Sequence, residues 1–97
     1  MVYMIKEGVI IRFDNREVIK KTSSKFGNGA HVLISKEHIG KNVKIIIGKS
    51  EIIGKKIKID FLEGVILNRK ANRFGTGCHV IIPKEYAEKE VKIIIKK

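Results

Sequence analysis

A single cysteine, Cys78, stands in this chain of 97 residues. That excludes an internal disulfide framework and fits a reducing cytosol. No apolar run approaches the roughly 18 residues a membrane-crossing helix needs. Residues 1–10 carry charges and lack a cleavage-site pattern, so a cytoplasmic chain without a leader is expected. Glutamine is absent, and with so much Lys and Ile the composition points to a thermophile with an AT-rich genome. Acids are also scarce: 10 Asp and Glu oppose 21 Lys and Arg, for a net charge of +11. Two windows hold no acid at all. Val18–Lys36 carries Lys20, Lys21, Lys25 and Lys36; Gly64–Lys84 carries Arg69, Lys70, Arg73 and Lys84. Such surfaces attract polyanions, nucleic acid first and an anionic membrane surface second, although lysine-rich faces also serve solubility alone.

What is present is a repeat. Lys25–Lys49, KFGNGAHVLISKEHIGKNVKIIIGK, returns at Arg73–Lys97 as RFGTGCHVIIPKEYAEKEVKIIIKK, with 15 of 25 positions identical. The offset of 48 extends upstream, setting Phe13 on Phe61, Val18 on Ile66 and Ile19 on Leu67. A unit of this size is too small to bury a core alone, and two copies are too few for a solenoid. They suit a single-chain pseudo-dimer: one domain over 1–97, with repeat one at 1–48 and repeat two at 49–97. Hydrophobic content of 43%, mostly Ile and Val, argues for a folded and mainly β chain.

Turn and strand signals give one plan twice. Tyr3–Phe13 has strand-like content, ended by the turn residues Phe13-Asp14-Asn15-Arg16. Glu17–Phe26 reads as a cation-rich strand, Gly27-Asn28-Gly29 as a sharp turn, and His31–Ile34 as the returning strand. Ser35 is placed to cap a short helix over Lys36–Ile39, ended by Gly40, and the largely apolar run Val43–Ile47 predicts a buried strand. Repeat two gives strands at Ile57–Phe61 and Val65–Phe74, the turn Gly75-Thr76-Gly77, a strand at His79–Ile82, a helix over Lys84–Glu88 opened by Pro83, and a strand at Val91–Ile95. Gly48–Gly54 is left as the connection between the units, short enough to make them one body.

A strand, a Gly-Asn-Gly turn, a V-x-I-P-K-E element opening a short helix, and a closing V-K-I-I-I strand form a distinctive order. It resembles the AbrB-type swapped-hairpin family, which includes transition-state regulators and MazE-type antitoxins. The two 23-residue segments resemble in particular small archaeal transposon-encoded proteins with a K-F-G-N-(S/G)-A-H-V-x-(L/I)-P-K-E core. The resemblance implies a pseudo-dimer barrel in which the two repeats exchange hairpins. It also implies DNA binding by basic residues on the hairpin strands and turns: Lys20, Lys21 and Lys25, matched by Arg69, Lys70 and Arg73. His31 and His79 stand where AbrB-type regulators often keep an arginine. Leu33 and Ile81 stand where MazE-type proteins keep one, and Ser35 replaces the proline in the first copy.

The individual residues leave two roles open for His31 and His79, phosphate contact or packing beside the turn. No metal site is expected, because the chain lacks a four-ligand spacing and Tyr86 replaces His38 in the second copy. Lys36-Glu37 and Lys84-Glu85 could be read as acid–base pairs, but carboxylates at helix starts more simply favour the helix dipole. Glu85, Glu88 and Glu90 have no matching cluster in repeat one, and no nucleophile–base pair is evident, so no enzyme and no cofactor are expected. Gly27-Asn28-Gly29 is not followed by the rest of a nucleotide-binding fingerprint. Phe26 and Phe74 are expected to plug the core, with base stacking as the alternative.

The expectation is thus a DNA-binding regulator of transcription or of a mobile element, with double-stranded DNA as partner. It would be a pseudo-dimeric monomer or pair into a further homodimer. The rivals are a protein-interaction module, antitoxin-like or a transposase accessory, and an RNA or single-strand binder. Ending two residues after the last strand counts against the antitoxin version, whose toxin-wrapping tail would follow.

Overall fold

Twelve strands in three four-stranded sheets make up the computed structural model, which describes residues 2–5, 8–12, 16–60 and 64–96. In repeat one these are β1 (Val2–Ile5), β2 (Gly8–Arg12), β3 (Arg16–Thr22), β4 (Ser24–Phe26), β5 (Gly29–Ile34) and β6 (Asn42–Ile47). In repeat two they are β7 (Ser50–Ile53), β8 (Lys56–Asp60), β9 (Val65–Lys70), β10 (Asn72–Phe74), β11 (Gly77–Ile82) and β12 (Glu90–Lys96). The chain is mainly β, and no α-helix occurs among the described residues.

The sheets are ordered β1-β2-β8-β7, β3-β12-β6-β9 and β10-β11-β5-β4, and all pairings are antiparallel. The β3-β12-β6-β9 sheet is the middle layer. One face buries Val43, Ile45, Ile47, Val91, Ile93 and Ile95 against Ala30, Val32, Ile34, Cys78, Val80 and Ile82 of the hairpin sheet. Its other face buries Ile46 and Ile94 against Ile57 and Ile59 of the third sheet. This explains the apolar triplets Ile45–Ile47 of β6 and Ile93–Ile95 of β12: a strand covered on both faces has no solvent side there for polar residues.

The 48-residue repeat is written into the register. The middle pairs of the three sheets are Ile10 with Lys58, Val32 with Val80, and Ile45 with Ile93, each 48 residues apart. One pseudo-twofold axis therefore relates the halves in all three layers. Pairing crosses between halves at the edges of the middle sheet too, since β3 of repeat one lies on β12 of repeat two and β9 lies on β6. Backbone clamps reinforce the crossing. Ser23 N–H donates to the Lys89 carbonyl at 2.9 Å, and Ala71 N–H donates to the Lys41 carbonyl at 2.8 Å.

Several expectations are corrected. Gly48–Gly54 is not a bare connection: it holds β7, the counterpart of β1. Tyr3–Phe13 is two strands paired as a hairpin rather than one. Glu17–Phe26 and Val65–Phe74 each break, at Ser23 and at Ala71, because those residues turn inward, are buried, and bond across to the other half. The helices are single 3-10 turns, Lys36–His38 and Lys84–Tyr86, and the Ser35 side chain makes no capping bond. Gly40, with φ of 88°, does end the first turn. Each sheet is open, with two edge strands, and none closes into a barrel. The expected turn at Phe13-Asp14-Asn15 and the end of the strand at Phe61 lie outside the described residues, as does the Phe13/Phe61 match.

Candidate nucleic-acid interface

The basic windows fall on edge strands. β3 and β9 are the two edges of the middle sheet, and β4 and β10 are the two edges of the hairpin sheet. Arg69 Nε donates to the Ile81 carbonyl at 3.2 Å, which ties the β9 edge to β11. The structure thus puts Lys20, Lys21 and Lys25 on the β3–β4 side and Arg69, Lys70 and Arg73 on the β9–β10 side. All six are exposed except Arg69, which is half-buried.

The matching of these cations needs correction. At the offset of 48, Lys21 falls on Arg69 and Lys25 on Arg73, but Lys20 falls on Asn68 and Lys70 on Thr22. Successive strand residues point to opposite faces. Lys21 and Arg69 accordingly sit on the face toward the hairpin sheet, opposite Val91 and Val43 in register. Lys20 and Lys70 sit on the other face, opposite Lys92 and Asn42. Four of the six cations, Lys21, Lys25, Arg69 and Arg73, belong to a symmetric pair of flanks, and Lys20 and Lys70 do not.

Between the flanks lies the outer face of the hairpin sheet. Here His31 and His79 meet on the pseudo-twofold, Nδ1 to Nδ1 at 3.0 Å, and each is only 7% exposed. Phe26 stacks on His31 and Phe74 on His79, both at 4.4 Å between ring centres. The two phenyl rings meet edge to face at 5.3 Å. Burial, and then the charge that His31 would carry, push the His79 pKa below its ordinary value. Buried and bonded to one another, the histidines take the packing role and leave the set of candidate phosphate contacts. Phe26 and Phe74 are not core plugs, because the core lies on the other face of the sheet. They cover the histidines and stay 36% and 38% exposed, beside Leu33 at 52% and Ile81 at 40%.

Cys78 points into the core, and burial raises its pKa. No cluster of three or more metal-ligating side chains occurs among the described residues. His38 is buried, with Nε2 at 3.8 Å from Glu17 and 3.7 Å from Glu37, and its Nδ1 has no hydrogen-bond partner. No helix among the described residues is long and apolar enough to cross a membrane.

Sequence reasoning missed Lys44 and Lys92. Both interrupt an apolar run within a strand, and that was the available signal: such a lysine has to emerge where the cover on one face ends. Lys44 Nζ donates to Asn68 Oδ1 at 3.0 Å, whereas Lys92 Nζ donates to the backbone carbonyl and hydroxyl of Ser50. No family model matches the sequence, and no curated protein or solved structure matches it.

Proposed function

We propose that the chain is a non-enzymatic DNA-binding protein of the swapped-hairpin AbrB-like kind, a regulator of transcription or of a mobile element. The observation that carries this reading is the pair of cationic flanks on either side of the hairpin sheet. The edge strands that bear Lys25 and Arg73 are separated by three strand spacings, about 14 Å. A B-DNA major groove is about 12 Å wide, so two flanks at this separation match the two phosphate rails of one groove. Exchange of β3 and β9 between the halves is the feature that a swapped-hairpin assignment rests on. Most of the affinity comes from phosphate neutralisation, and groove shape supplies much of the selectivity.

The test is binding to duplex DNA, single-stranded DNA and RNA over a salt series. With six cations on phosphates, duplex affinity falls roughly a thousandfold between 50 and 200 mM salt. Neutralising Lys20, Lys21, Lys25, Arg69, Lys70 and Arg73 to Gln flattens that slope, and equal changes at Lys55, Lys56 and Lys58 do so less. Equal losses in the two variants would mean that charge acts globally, and the flanks would not be the site. The exposure of Phe26 and Phe74 favours one rival, stacking of unpaired bases. In that case single strands outcompete duplex, and F26A/F74A loses most of the binding.

A further inference from the structure

Beside the buried Ile94, the middle sheet carries an open concavity of about 410 Å³ at the β6–β9 edge. Asn42 lies opposite Lys70, and Lys44 opposite Asn68, so four polar side chains rise from one face around it. No acid among the described residues lines it. Lys44 donates to Asn68 Oδ1, which turns that oxygen toward the lysine and leaves the Asn68 NH₂ group to donate. Two ammonium groups and two amides thus present donors around an apolar floor. The donor set suits a tetrahedral oxyanion, and it would repel a cation.

We infer that this concavity binds one phosphate group, and that it does so on one side of the pseudo-dimer only. The pseudo-twofold carries Asn42 onto Glu90, Lys70 onto Thr22 and Asn68 onto Lys20. The related place therefore keeps two lysines, Lys20 and Lys92, but gains a carboxylate and loses both amides. Its Lys92 is held by Ser50 of β7, a contact that Lys44 does not make. A phosphate meets two cations and two amides at one end, but an acid beside the two lysines at the other. The two ends of the molecule differ in chemistry although they share a backbone.

The phosphate can come from a free phosphate compound or from a nucleic-acid backbone, and the second source rests on the proposed DNA-binding function. The experiment separates them. Inorganic pyrophosphate is titrated into the whole chain while the side-chain amide resonances of Asn42 and Asn68 are followed by ¹H–¹⁵N NMR. Saturable shifts of both are expected, at millimolar concentration or below. K44Q/K70Q should weaken binding by about tenfold or more, the scale of one lost charge-assisted hydrogen bond. N42E, which copies the other half, should weaken it similarly, whereas K20Q/K92Q should leave it unchanged. Absence of shifts, or an equal loss in K20Q/K92Q, overturns the inference whatever DNA does. Duplex DNA is then bound to the same variants, where K44Q/K70Q should lower the salt slope by about one. Pyrophosphate binding with no DNA binding would keep the pocket as a small-anion site and discard the DNA-binding function instead.

Discussion

Two imidazoles whose Nδ1 atoms meet at 3.0 Å share one proton in that contact, because two N–H groups facing each other would repel. The lowered His79 pKa gives this a sign. Near and below pH 6.5 the unfolded chain takes up a proton that the folded chain resists, so stability is complete above about pH 6.5 and is lost as pH falls toward the folded value. Urea midpoints measured between pH 7.5 and 5 should therefore decline, and H31Q/H79Q should decline less. A pair of curves with the same slope would mean that the histidines contribute nothing to the acid sensitivity. The pair was legible in the sequence as two histidines 48 residues apart. Their contact was not, since only the β5–β11 register brings Leu33 opposite His79 and Ile81 opposite His31.

At the scale of elements, the two 3-10 turns share their backbone path but not the residue that ends it. Gly40 leaves the first with φ of 88°, and its counterpart Glu88 leaves the second with φ of 60°. A side chain in that left-handed region costs about 1 kcal/mol or more, which glycine avoids at some cost in unfolded-state entropy. E88G should accordingly stabilise the fold by about 0.5–1 kcal/mol, measured by denaturant unfolding; a loss of stability would show that Glu88 makes a contact worth more than the strain. Elements dominated by local chemistry were legible: the glycine turns, and the apolar runs of β6 and β12. Elements decided by the other half were not. Ser50-Glu51-Ile52-Ile53 is too short and polar to announce a strand, and it becomes one because β8 offers an edge. The break at Ser23 has no local cause either, since it follows from bonds to the turn of repeat two. The cations of the site were legible as charge, but not as geometry. Lys20 and Lys21 are neighbours in the sequence, and β structure sends them to opposite faces.

For the whole molecule, the central consequence is that neither half has a core of its own. Ile45 and Ile93, both fully buried, face each other across the pseudo-twofold, and each half supplies one edge strand to the other. A chain ending at Gly48 should be unfolded or should pair with a second copy, which would take the place of repeat two. Sedimentation together with NMR dispersion checks this, and a well-dispersed monomer would contradict it. The same interleaving keeps the two cationic flanks at a fixed separation. The proposed groove-spanning contact is then preorganised, and little entropy would have to be lost on binding.

The pairing of β3 with β12 also sets a timetable for synthesis. Ile19 finds its partner Ile93 only 74 residues later. While the ribosome is still making repeat two, β3 and the future inner strand β6 carry unpaired backbone edges, and the apolar face of β6 has nothing to cover it. Non-local pairing of this kind folds slowly and leaves edges open to wrong partners. The nearest wrong partner on a crowded message is another nascent copy, whose β12 would fit the same edge. Lysines on β3 and β6 repel such neighbours while the chain waits, so the charge proposed to meet a polyanion in the finished protein also guards the unfinished one.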